Sequence, residues 1–184
     1  TGFWDLQADG FWNGWKTGLY GSDPAVPNTF TQIYYYNWFD ALEINSSITI
    51  SMLPTEQEKQ AYYYTTTTPG EYFLIENRKN WSGNLPGEGL LIYHVDENFI
   101  NSHFSSNDIN TSTHQGLTII DAGNNGEIDS SACPFPGTGL NFSFTDITSP
   151  ASLSWSGSPT NKPVTNIFDA NMWISFDFMG GSGC

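Results

Sequence analysis

At 184 residues the chain is long enough for one domain with a real core and hardly for two. Five Lys and Arg against nineteen Asp and Glu give a net charge of −14, the wrong sign for displacing counterions from nucleic-acid phosphates or for settling on an anionic membrane. Aromatic residues make up 16% of the chain and charged residues only 13%, so the burial of large rings must dominate the fold.

Residues 1–27 mix Gly, Asp, Asn and Trp with neither helical nor strand period and read as a long loop anchored by its rings. Pro27 opens a helical pattern over residues 28–43, with Asn28 or Thr29 as N-cap and Phe30, Ile33, Tyr34, Trp38, Ala41 and Leu42 at helical spacing. From residue 47 to 179 short strand-like runs separated by turn signals follow: SITISML, AYYYTTTT, EYFLIEN, GLLIYHV, GLTIID, NFSFTDI, PVTNIFDA and MWISFDFM. The last residues, 180–184, read as a flexible tail. The expected fold is therefore a single mainly β (α+β) domain, rich in antiparallel pairing, with one N-terminal helix and long aromatic-anchored loops.

EYFLIENR and GLLIYHVD stand on either side of a polar insert carrying Gly83, Pro86, Gly87 and Gly89, too long for a two-residue hairpin, and are expected to pair as neighbours. Strand alternation places Glu71, Phe73, Ile75 and Asn77 on one face and Tyr72, Leu74, Glu76 and Arg78 on the other, which brings Glu76 and Arg78 within reach of each other.

The succession EYFLIENR, LPGEGLLIYHVD and CPFPG resembles, in order and spacing, the latter part of the peptidase domain of the immune inhibitor A family, secreted bacterial zinc metallopeptidases. GFWDLQADGFWNG is similar to the family segment just after the zinc helix, so the resemblance assigns Asp5, Leu6 and Gln7 to the turn beneath the metal, and ISFDFMGG is similar to a closing strand. One departure is at single positions: Gln7 occupies the place of a Met, and Cys133 stands where the family often has an Asp. The family's HExxHxxGxxD helix, which presents two His one turn apart, is not in this sequence. His94, His103 and His114 lie nine and eleven residues apart, a spacing that puts no two imidazoles on one helical face. No zinc ligand is therefore assigned to this chain; the resemblance places the zinc in the parent protein.

Other residues suggest sites of their own. His94 and Asp96, at i and i+2, form a candidate cleft pair in which the acid orients the imidazole, against the ordinary reading of a structural His. Asp121, Asn125 and Asp129 occupy calcium-loop positions, yet Gly123 and Ala132 fall where further oxygens are needed, and a plain Asn-Gly turn is the preferred reading of the segment. Asn45, Asn80, Asn110 and Asn141 head glycosylation sequons. Cys133 and Cys184 make one candidate disulfide.

No run approaches the roughly 18 apolar residues of a membrane span, and TGFWDLQADG lacks the basic and apolar regions of a signal peptide. The expectation is a soluble, extracellular chain whose export signal is already gone. It would serve as the C-terminal part of an immune inhibitor A-like peptidase, inactive alone, with the parent's N-terminal half or a neighbouring copy covering Trp4, Phe11, Trp12 and Trp15. The alternative is a non-catalytic extracellular structural subunit that keeps the family's β core, and a carbohydrate-binding module is a third reading.

Overall fold

The structure, a computed structural model, describes residues 1–182. Among them, eight strands form two sheets. The larger sheet runs in the order β1 (Leu42–Glu43), β3 (Tyr62–Thr65), β4 (Glu71–Arg78), β5 (Gly89–Asp96), β6 (Leu117–Ile119). The smaller runs β2 (Ile48–Met52), β8 (Ile174–Phe178), β7 (Val164–Asp169). Every pairing is antiparallel except that of β1 with β3. The helices are short: α1 (Thr29–Tyr34), α2 (Thr55–Glu58) and α3 (Glu97–His103), with 3-10 turns in the N-terminal segment and after α3. The mainly β, antiparallel-rich fold expected from the composition is the one observed.

β4 and β5 pair over all eight residues, from Glu71 opposite Asp96 to Arg78 opposite Gly89, and both faces of the pair are covered. Phe73, Ile75, Leu90 and Ile92 meet Ile50, Met52, Phe176 and Phe178 of the second sheet, with Phe135 and Phe144. On the other face, Leu74, Leu91, Tyr93 and Val95 meet Trp4 and Ala25 of the N-terminal segment, Phe30 of α1 and Ile100 of α3. Burial on both faces is why these strands read as nearly continuous apolar runs. At roughly 1.5–3 kcal/mol for each buried Leu, Ile or Phe, this hairpin is the energetic centre of the domain.

Gly89 begins β5 at φ 146°, with Phe135 O 2.7 Å from where a Cβ would stand. The glycine lets the CPFPG segment close on the strand, and Leu90 and Phe135 exchange backbone bonds of 2.8 and 2.9 Å.

Several expectations are corrected. The helix expected over 28–43 ends at Tyr34; its N-cap is Asn28, whose side chain accepts from Thr31 N at 2.8 Å. Asn37, at φ 50°, ends the helical run, with Trp38 N donating back to Gln32 O at 3.0 Å, and the chain goes on to β1, an edge strand the apolar spacing of Trp38, Ala41 and Leu42 had disguised as helix. NFSFTDI forms no strand, and its Phe144 makes a single bridge to Val164. The described part of the expected tail, residues 180–182, is tied down: Thr49 N donates to Ser182 Oγ at 3.0 Å and Ser182 N to Thr49 Oγ1 at 3.1 Å. The Cys133–Cys184 pairing lies outside the described residues.

Candidate functional site

His94 sits on the second-sheet face of β5, where strand register aligns it with Phe73 and places Glu71 diagonally across. Its Nε2 is 2.6 Å from Glu71 Oε1, and that oxygen also accepts the Trp155 backbone N–H at 2.7 Å. The imidazole stacks on Phe73 (centroids 4.4 Å apart) and on the Trp155 indole (5.0 Å, 6° between planes). Trp155 stacks in turn on His114 at 4.6 Å, His114 on Phe99 at 4.4 Å, and Phe99 on His103 at 3.9 Å. One column of rings thus contains all three histidines.

The predicted pairing of His94 with Asp96 is not made. Asp96 instead accepts the Phe99 N–H at 2.9 Å, capping α3, and holds His114 Nε2 at 3.0 Å. Burial pushes the His94 pKa below its ordinary value, with the Glu71 and Asp96 carboxylates opposing the shift and His114 adding to it. A neutral imidazole donating Nε2–H to Glu71 follows, which fixes its tautomer.

Catalytic zinc needs three converging protein ligands. Here Nε2 of His94 and of His114 are bonded to carboxylates, His103 Nδ1 lies 2.9 Å from Phe99 O, and the rings stand in series through Trp155 and Phe99. These residues do not fit a zinc site. The column works as a clamp: it fastens the loop carrying Trp155 to the central hairpin and α3.

On the opposite face of the sheet the N-terminal segment is held by a buried polar network. Arg78 Nε meets Glu76 Oε1 at 3.1 Å, its Nη1 meets Glu56 at 3.2 Å, and its Nη2 donates to Trp4 O at 3.1 Å. Tyr93 and Thr29 donate their hydroxyls to Glu76. The Glu76–Arg78 contact is the one the strand alternation anticipated, but both side chains are 1% exposed, so its energetics are those of a buried pair. The two carboxylates raise the Arg78 pKa against the pull of burial, and burial raises that of Glu56.

Asp5 accepts Asn28 N at 3.0 Å and Asn28 Nδ2 at 2.6 Å, locking the segment to the start of α1. Gln7 reaches Tyr36 and Thr31 through its side-chain amide (3.0 and 3.1 Å), while Leu6 is half-buried. Asp5 and Gln7 line a cleft of about 400 Å³ together with Asn28, Tyr35 and Phe104. Of the rings expected to lack cover, Trp4 is fully buried and donates its indole N–H to Ile128 O at 2.6 Å, a correction. Phe11, Trp12 and Trp15 are exposed, as are Leu19 and Tyr20.

The calcium-loop candidates are occupied by their own loop. Asp121 accepts Gly123, Asn125 and Gly126 amides, Asn125 accepts the Glu127 amide, and Asp129 accepts Phe3 N. Among the sequons, Asn80, Asn110 and Asn141 spend their amides on Leu85, Leu117 and Ala122 carbonyls, whereas Asn45 is exposed and, among the described residues, its side chain makes no such bond. Cys133 is fully buried, and burial beside Asp121 and Asp129 pushes its thiol pKa up, the reverse of a reactive thiolate.

Sequence reasoning missed Glu71, Trp155 and His114. Glu71 and His94 could have been matched only with the hairpin register, which a ten-residue connection leaves open, and SLSWSGS carries no signal that its Trp returns to the sheet. Compared with protein-family models, curated proteins and solved structures, the chain gives no significant match to any of them.

Proposed function

We propose that the chain is the C-terminal part of a secreted, immune inhibitor A-like peptidase domain. In this reading it supplies cleft walls and the turn beneath the metal, while the zinc ligands come from a segment outside this sequence and the chain alone is inactive. The observation that carries the reading is the position of Asp5 and Gln7: the segment the resemblance assigns to that turn forms the wall of a cleft and is anchored to α1 through Asn28. The packing of CPFPG against β5 agrees with it, since segments that carry the resemblance far apart in sequence stand side by side. The precursor gene tests the reading. An HExxH in the same frame, upstream, together with chelator-sensitive casein hydrolysis by the full-length protein that is abolished by changing that Glu to Gln, supports it. A precursor without the motif, or one that hydrolyses nothing, removes it.

A second reading, a non-catalytic extracellular structural subunit, is favoured by a different observation. Phe11, Trp12, Trp15, Leu19 and Tyr20 are all exposed within ten residues of chain, the kind of apolar surface that marks an interface. Its partner would be the N-terminal half of the same domain or a neighbouring copy. Native sedimentation separates the two cases: self-association of the isolated chain supports the subunit, and a 20.4 kDa monomer that assembles only with the N-terminal half supports the peptidase.

A further inference from the structure

We propose that the groove between α1 and the β3–β4 face binds the lysine or arginine side chain of an extended peptide. The groove encloses about 360 Å³ and lies on the face away from the His94 column. Strand alternation sends Tyr63, Tyr72 and Leu74 to this face, and α1 lays Phe30 and Tyr34 against it. Tyr63 and Tyr72 stand 5.5 Å apart at 62°, and Tyr34 stacks on Phe30 at 5.1 Å, so aromatic rings form both walls.

The charge of the groove is of one sign. Asp40 and Glu97 line it, and no Lys, Arg, His, Asn or Gln does. Among the described residues neither acid forms an ion pair. Tyr72 donates its hydroxyl to Glu97 Oε1 at 2.9 Å, which holds that carboxylate in place. Glu71 also borders the groove, but its carboxylate is committed to His94 on the other face. Lys162 does not line the groove, but its ammonium stands at the border, donating to Thr65 O at 2.8 Å and to the hydroxyl of Thr65, a lining residue, at 3.1 Å.

Apolar rings along the walls and carboxylates at the rim call for an occupant with an aliphatic stem and a cationic head. Lys and Arg side chains have that form, and the head gains both from the acids and from the ring faces. A phosphate group finds no cation here. A sugar would find rings to stack on and carboxylates to accept its hydroxyls, but it carries no positive charge to meet two acids that, among the described residues, form no ion pair, and the oligosaccharide comparison below separates the two occupants. The net charge of −14 adds long-range attraction for a basic peptide. The inference does not rest on the peptidase reading, because binding is a property of this chain alone.

The test is a titration of the purified chain, by calorimetry and by NMR, with acetyl-Gly-Arg-Gly-amide and its Lys, citrulline and norleucine counterparts. The expected result is saturable binding of the Arg and Lys peptides that weakens with salt, and at least about tenfold weaker binding of the neutral ones. The Asp40→Asn/Glu97→Gln double variant is expected to bind the Arg peptide about fivefold more weakly. The amide introduced by Glu97→Gln keeps an acceptor for the Tyr72 hydroxyl, so an unchanged circular dichroism spectrum separates lost charge from lost fold. Equal binding of citrulline, a double variant that binds like the parent, tighter binding of a neutral oligosaccharide, or no binding at about 10 mM peptide would overturn the proposal. So would resonance shifts confined to residues outside Phe30, Tyr34, Tyr63 and Tyr72.

Discussion

Glu71 Oε1 lies 2.6 Å from His94 Nε2 and 2.7 Å from the Trp155 backbone nitrogen, so one carboxylate oxygen joins the central hairpin to a loop more than eighty residues away. Glu71→Ala would leave both buried donors without an acceptor, at a cost of about 2–4 kcal/mol. Glu71→Gln, which keeps an acceptor oxygen, should lose less than half of that. Urea denaturation of the two variants measures the difference; equal losses would mean that the carboxylate is a packing element only.

The same pair predicts a pH dependence. Burial holds the native His94 pKa below the 6.5 of a free imidazole, so the unfolded chain takes up the proton first as pH falls. The sign follows: this contribution to stability is complete above about pH 6.5 and is lost progressively as pH drops from there toward the native pKa. Thermal melts between pH 8 and pH 5 should show the fall, and His94→Gln, which can still donate to Glu71, should flatten it. A fall of the same size in the variant would assign the effect to groups other than His94.

Arg78 is the single cation among the buried side chains on its face of β4, bonded to Glu76, Glu56 and Trp4 O. Arg78→Met strands the Glu76 carboxylate in the core and releases the N-terminal segment, at an expected cost of about 3–5 kcal/mol. Adding Glu76→Gln should recover part of the loss, since the amide needs no countercharge. Chemical denaturation of the single and double variants decides it, and a double variant less stable than Arg78→Met would contradict the account.

Asn110 closes its loop through both ends of its amide, donating to Leu117 O at 2.8 Å and accepting from Leu117 N at 3.1 Å. Asn110→Ala should cost about 1–2 kcal/mol, whereas Asn45→Ala, at an exposed position, should cost nothing measurable. In a glycosylating host Asn45 is the sequon expected to carry a glycan, read as a mass shift that Asn45→Gln removes. A glycan on Asn110 with stability unchanged would show that the loop closes without that amide.

The sequence by itself determined the mainly β class and the place of seven of the eight strands, because alternation and β-branched or aromatic runs are local properties of the chain. It also placed Glu76 and Arg78 within reach of each other, since residues two apart on one strand share a face whatever the strand packs against. What surrounds that face is not local. Only the tertiary structure decided that the pair is buried under Trp4 and Tyr93, which turns a weak surface contact into a costly one to break. The helix over 28–43 was overextended for the same reason: apolar residues at Trp38, Ala41 and Leu42 fit helical spacing, but Asn37 turned the chain and the free edge of β3 took up Leu42 and Glu43. His94 was visible as a residue with chemistry, yet its partner depended on register, and a neighbour at i+2 on the same strand lost to a carboxylate across the ladder. Trp155 was the least legible. Its place in the ring column depends on a loop returning to a sheet whose face exists only after the two sheets have packed.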